Sequence, residues 1–120
     1  MAKDLTISIL LDFYGDMLTE KQREMTELYH NEDLSLGEIA SDSGITRQGV
    51  RDSIKRAEFQ LREYEERLGL AQRFHDIQDT LGQIIQCAKE IEGYNTRFCL
   101  SSEISRKCSE IVELAEKLGE

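Results

Sequence analysis

Within the twenty residues from Leu36 to Lys55, a small residue (Ala40), a glycine four positions on (Gly44) and an apolar residue six beyond it (Val50) stand in a demanding order. Two helices joined by a short turn need a small residue where they approach most closely and a glycine free to take a left-handed backbone in the turn. They also need apolar residues on both sides to fix their crossing. Ile39 and Ala40 meet this on the first helix, Gly44 in the turn, and Ile45, Val50 and Ile54 at and along the second. The stretch predicts a helix-turn-helix over about residues 36–55. The surrounding chain has no proline and only eight glycines among 120 residues, which predicts an all-α fold.

The rest of the chain reads as helices with marked ends. Leu5 to Phe13 is apolar on most sides and predicts a first helix, core on most faces, that stops near Gly15. Thr19 and Gln22 form a capping box opening a second helix, with Met25, Leu28 and Tyr29 facing inward; Ser35 and Glu38 repeat the device for a third. Thr46 caps a fourth, expected from Arg47 to about Leu68 because Val50, Ile54, Ala57, Leu61, Tyr64 and Leu68 recur at spacings of four and three. After Gly69 a stripe of Phe74, Ile77, Leu81, Ile84, Ala88 and Ile91 runs to an end expected at Gly93-Tyr94-Asn95. A last segment opening at Ser101 carries Ile104, Cys108, Ile111, Ala115 and Leu118 at the same heptad-like spacing. The expected organisation is a helical domain over 1–68 containing the helix-turn-helix, and a C-terminal helical extension over 69–120. That extension is a hairpin suited to self-association as a homodimer.

Charge narrows the function. Twenty-four acidic residues against 15 basic ones leave a net charge of −9, which opposes sequence-blind adhesion to DNA or an anionic membrane. Binding to nucleic acid then requires a local patch. Between Arg47 and Arg62 five cations (Arg47, Arg51, Lys55, Arg56, Arg62) face two acids (Asp52, Glu58), the one strongly basic stretch in the chain. Arg47, Arg51 and Lys55 follow at i, i+4 and i+8, a stripe on a different face of the helix from its apolar row. Thr46, Arg47, Gln48 and Arg51 occupy the turns that enter the major groove in this motif, where arginine suits guanine and glutamine suits adenine, while Lys55 and Arg56 suit phosphates. The competing reading has these cations solvating an exposed face and pairing with Asp52 or Glu58.

Other chemistry finds little footing. His30 and His75 lack a ligand partner at metal spacing and read as surface histidines, so neither a metal nor another cofactor is expected. No nucleophile elbow or phosphate-binding glycine loop is present, and no enzymatic activity is expected. Cys87, Cys99 and Cys108 are odd in number and form no Cys-x-x-Cys pair; with no signal-peptide pattern they point to a reducing cytoplasm. The apolar run Ile7–Leu11 is far short of the roughly 20 residues of a membrane span.

The run LTEKQREMTELYHNEDLSLGEIASDSGITRQGVRDSIKRAEFQLR, Leu18 to Arg62, resembles the region-four helix-turn-helix of bacterial sigma factors. With the preceding helix ISILLDFYGDMLTEKQ and a helical tail of this length, the whole chain resembles the YlxM family of small DNA-binding proteins. The resemblance implies a regulator linked to the signal recognition particle pathway. It leaves open an alternative, an accessory factor that contacts a targeting GTPase or its RNA through an acidic tail. A sigma factor itself is not expected, because the chain has no room for the domains that bind the promoter −10 element and the polymerase core.

Overall fold

In a computed structural model describing residues 3–120, the chain forms α1 (Leu5–Tyr14), a single 3-10 turn (Gly15–Met17), α2 (Glu20–His30), α3 (Leu36–Ser43), α4 (Arg47–Leu68), α5 (Leu70–Phe98) and α6 (Ser102–Leu118). No strand occurs among the described residues, so the fold is all-α. Two compact units divide between Ala71 and Gln72, three residues beyond the helix break at Gly69.

In the first unit α4 is the spine. Its N-terminal half puts Val50 and Ile54 into a cluster with Met25, Tyr29, Ile39 and Ala40. Further along, Ala57 and Leu61 join Ile7, Leu10, Leu11, Tyr14 and Leu18 in another. One continuous helix therefore carries both the packing surface for α2 and α3 and the docking surface for α1. Burial of its apolar row, roughly 1.5–3 kcal/mol for each large side chain, holds it against both clusters. The first helix is more amphipathic than its composition predicts: Leu5 and Ile9 face outward, at 82% and 49% exposure, because only one side of α1 reaches the spine.

Capping determines where the helices begin. Thr19 and Ser35 accept hydrogen bonds from the backbone of Gln22 (3.2 Å) and Glu38 (3.1 Å), and the Gln22 and Glu38 side chains reach back to the cap backbones. Asp4 caps α1 by accepting from Thr6 N–H, and that bond holds its carboxyl below the ordinary carboxylate range.

The start of α5 is satisfied from a distance. Tyr14 donates its hydroxyl proton to Glu65 Oε1 (2.6 Å) and accepts from Leu70 N–H (3.0 Å), while Glu65 Oε1 also accepts from Ala71 N–H (3.0 Å). Two backbone donors without intrahelical partners are thereby paired. Burial, and then donation to the Glu65 carboxylate, push the Tyr14 phenol above its ordinary value of 10.0. A group with a raised folded pKa contributes stability that is complete below its unfolded value and lost as pH climbs through the folded one. The absorbance at 295 nm of the wild type minus that of Tyr14→Phe is therefore expected to show a titration step above pH 10, with stability falling in that alkaline window. A step at or below the ordinary tyrosine value would contradict the network.

Three sequence expectations are corrected here. Gly93-Tyr94-Asn95 does not end α5; the helix absorbs Gly93 and runs to Phe98, and Cys99 makes the left-handed turn at φ 50°. Asn95 is instead buried, donating to Ser101 O and to Ser105 Oγ (2.8 Å) and accepting from Ser101 N–H (2.8 Å), so it ties the hairpin turn together. His30 is not a surface residue. Its side chain is fully buried, Nδ1 accepts from Asp4 N–H (3.1 Å), and Nε2 meets Glu58 Oε1 at 2.8 Å. With Nδ1 occupied as an acceptor, Nε2 carries the proton and donates it to Glu58.

The third correction concerns the hairpin of the second unit. The expected stripe is split. Leu81, Ala88, Cys108 and Ala115 are buried in the seam between α5 and α6, whereas Ile77, Ile84, Ile91, Ile104, Ile111 and Leu118 are 37–72% exposed. The seam closes instead over half-buried Gln78, Ile85, Ser105, Val112 and Gly119, with Gln78 donating to Gly119 O (2.6 Å). Ala88, Cys108 and Ala115 fill the seam row with small side chains, and the isoleucine row lies to one side of it.

Candidate nucleic-acid interface

Ser35 starts α3, and Gly44 ends it at φ 72°, ψ 18°, donating its N–H to Ala40 O at 3.0 Å. A side chain is strained at that φ, which is why the turn uses glycine. Two residues later Thr46 Oγ1 accepts from Gly49 N–H (3.0 Å) and opens α4. Ile39, Ala40, Val50 and Ile54 are buried, and Ile45 packs half-buried against the same cluster. All six positions expected to build the helix-turn-helix thus lie at the junction of α3 and α4.

Gly49 is a member of the junction that spacing did not single out. A Cβ there would stand 3.2 Å from Thr46 Oγ1 and 3.6 Å from Ile45, in the space the capping hydroxyl and the turn residue use. Its only sequence signal was a glycine three residues after a capping threonine, easily read as a weak helix former.

The first turns of α4 project outward. Thr46, Arg47, Gln48, Arg51, Lys55 and Arg56 are all exposed. Among the described residues no ion pair holds Arg47, Arg51, Lys55 or Arg56. The acids that could have neutralised them are engaged elsewhere: Glu58 accepts from His30, and Asp52 accepts from the Gln48 side chain at 3.0 Å. Arg62, about two turns further along the same face, pairs with Asp4 at 3.6 Å. The Arg47 guanidinium lies back over Gly37 in the first turn of α3, 3.7 Å from where a Cβ would be. Gln48 spends its amide donor on Asp52, so reading adenine would require exchanging that exposed bond.

Arg56 is not part of the same row. Nine residues on from Arg47, at 100° per residue, it faces the opposite side of α4. There it lines an open groove of about 380 Å³ with Lys21, Thr19, Gln22, Gly49, Asp52 and Ser53. Lys21, in the first turn of α2, was missed by sequence reasoning because it belongs to another helix and no pattern in α4 points to it. The arrangement therefore offers an unpaired cationic stripe (Arg47, Arg51, Lys55) at the exposed start of one helix. On another side of α4, toward α2, stands a second pair of cations, Arg56 and Lys21.

The charge excess does not reside chiefly in the hairpin. Residues 72–120 carry six Lys and Arg against nine Asp and Glu, a net of −3, while residues 1–71 carry nine against fifteen, a net of −6. The hairpin is thus less acidic than the unit that holds the cationic stripe.

A short left-handed turn between a capped α3 and a capped α4, with its apolar set buried and its first turns outward, defines a helix-turn-helix protein. The family model described as "UPF0122: Putative helix-turn-helix protein, YlxM / p13 like" matches residues 1–97, and the chain belongs to that family. It is similar to a UPF0122 protein of Desulforamulus reducens, 47% identical over 90 residues that span 75% of this chain and 74% of that one. UPF0122 proteins of Bacillus cereus strain AH187 and Bacillus anthracis strain A0248 are each 39% identical over 118 residues, 98% of both chains.

No helix among the described residues is long and apolar enough to cross a membrane. Nor do those residues contain a group of three or more His, Cys, Asp or Glu able to hold a metal ion.

Proposed function

We propose that the chain is a DNA-binding regulator that reads the major groove with the start of α4 and acts in the cytoplasm without catalysis of its own. The observation that carries this reading is the unpaired state of Arg47, Arg51 and Lys55 on an exposed stripe, in a protein whose 24 acids could have neutralised them. Leaving three cations solvated costs little on a surface. It provides guanidinium forks for guanine edges and an ammonium for phosphate. Arg56 and Lys21 supply further phosphate contacts on the α2 side. The setting proposed for this regulator is the signal recognition particle pathway, through the family resemblance.

Two copies joined through the C-terminal helices fit this role, because two recognition helices on half-sites about one DNA turn apart multiply a weak single contact. The alternative partner, a targeting GTPase or its RNA held by an acidic tail, is less favoured by a hairpin of net charge −3.

Fluorescence anisotropy against mixed genomic DNA fragments, across a salt series, tests the proposal. Affinity is expected to fall linearly with the logarithm of salt concentration, with a slope of about −0.9 for each phosphate neutralised. Absence of binding at low salt would overturn the DNA reading and turn attention to the GTPase and RNA.

A further inference from the structure

The hairpin α5–α6 repeats every seven residues in three adjacent rows. The seam row (Leu81, Ala88 and Asn95 on α5; Cys108 and Ala115 on α6) is buried. On one side of it lies the half-buried row that closes the hairpin. On the other side Ile77, Ile84 and Ile91 recur on α5 and Ile104, Ile111 and Leu118 on α6, each at steps of seven and each 37–72% exposed. Each helix thus carries two apolar-rich rows, one buried in the seam and one exposed beside it, and a two-helix hairpin gives each helix only one neighbour to cover them.

We infer that this outer isoleucine row is the surface on which a second copy of the chain docks, making a four-helix bundle from two hairpins. The inference deepens the self-association part of the function proposed above and is independent of whether DNA is the target.

Three observations select a second copy as the occupant. The same seven-residue period runs along both helices, so a two-fold axis can lay the row of one copy against the row of the other in register, as an isologous interface requires. The row and the one flanking it on its outer side (Arg73, Thr80, Cys87, Tyr94, Lys107, Leu114) contain none of the nine carboxylates of residues 72–120. Two like surfaces therefore meet without acid against acid, and the depletion of charge is that of an interface core. The six side chains together with Phe98, itself 61% exposed, present on the order of 600 Å² of apolar surface. That is at the upper end for a monomer's largest patch and approaches the roughly 800 Å² per partner of a stable complex. A short partner peptide would cover one helix row but not both.

Sedimentation equilibrium of the full chain at micromolar concentration is the test, comparing wild type with the double variant Ile84→Glu, Ile111→Glu. The wild type is expected at twice the 13.8 kDa chain mass. The variant should sediment as a monomer, its association weakened at least ~100-fold because four carboxylates would be buried per dimer. Neither residue lies in the seam, so far-UV circular dichroism should retain its helical signal. Should the glutamates unfold the hairpin, the milder pair Ile84→Ser, Ile111→Ser serves. The wild type's thermal midpoint should also rise with protein concentration, as it does for a dimer. A wild type that stays at the chain mass with a concentration-independent midpoint overturns self-association altogether and leaves the row to a different partner. A dimeric wild type whose folded variants remain equally dimeric overturns this surface while leaving self-association intact.

Discussion

Arg47→Ala combined with Arg51→Ala is expected to lower affinity for DNA by about 30-fold or more, while the helix-turn-helix stays folded. Each guanidinium placed on a base edge or phosphate accounts for roughly 1–3 kcal/mol, and about 1.4 kcal/mol corresponds to tenfold in affinity. Both side chains are exposed and neither is held in an ion pair, so removing them leaves no buried partner unsatisfied and costs the fold little. The same argument separates their roles from that of Lys55. Lys55→Ala should weaken binding evenly across sequences and reduce the salt slope by about one phosphate, without changing preference. Anisotropy titrations of the three proteins side by side check this. A double variant that binds as tightly as wild type would sink the groove model, however well the motif is formed.

The second large effect is on stability and centres on His30. The imidazole is wholly enclosed and bridges three parts of the first unit: the cap of α1 through Asp4 N–H, the last residue of α2 in its own backbone, and α4 through Glu58. Glu58 is itself 4% exposed, so its carboxylate depends on that donor. His30→Ala should destabilise the protein by about 2–4 kcal/mol: a hydrogen bond to a charged group is lost, and a buried carboxylate is left without its partner. Glu58→Gln retains an acceptor and should cost considerably less. The double variant His30→Leu, Glu58→Leu should be less destabilised than the sum of its single changes, because removing both polar groups leaves none unpaired. Urea melts of the set measure this. If His30→Ala melts within a few tenths of wild type, the pair is not holding the three helices.

Much of the fold could be read along the chain because it depends on local chemistry. Both capping boxes, the Gly44 turn and the range of α4 from Arg47 to Leu68 follow from contacts between residues three or four apart, so a linear pattern contains them. The placement of Thr46, Arg47, Gln48 and Arg51 at the exposed start of α4 follows for the same reason. What escaped the pattern depends on pairs distant in sequence. His30 looked like a surface histidine because Asp4 and Glu58, 26 and 28 residues away, enclose it only once α1, α2 and α4 have packed. Lys21 joined Arg56 at one groove only through the packing of α2 on α4.

The hairpin shows where the division falls. Its heptad period is a property of the sequence, and so is the fact that two rows of each helix are apolar. Which row became the seam was decided in three dimensions: Leu81, Ala88, Cys108 and Ala115 are buried between α5 and α6 while the isoleucines stay exposed, and Asn95 ties the turn in that register. In this protein, then, the sequence by itself determined where helices start, turn and stop, because those signals act over a single helical turn. The tertiary structure alone decided which polar groups are buried together, which cations are left unpaired and which apolar row faces outward. Those outcomes depend on the volumes and partners that meet when helices far apart in the chain come into contact.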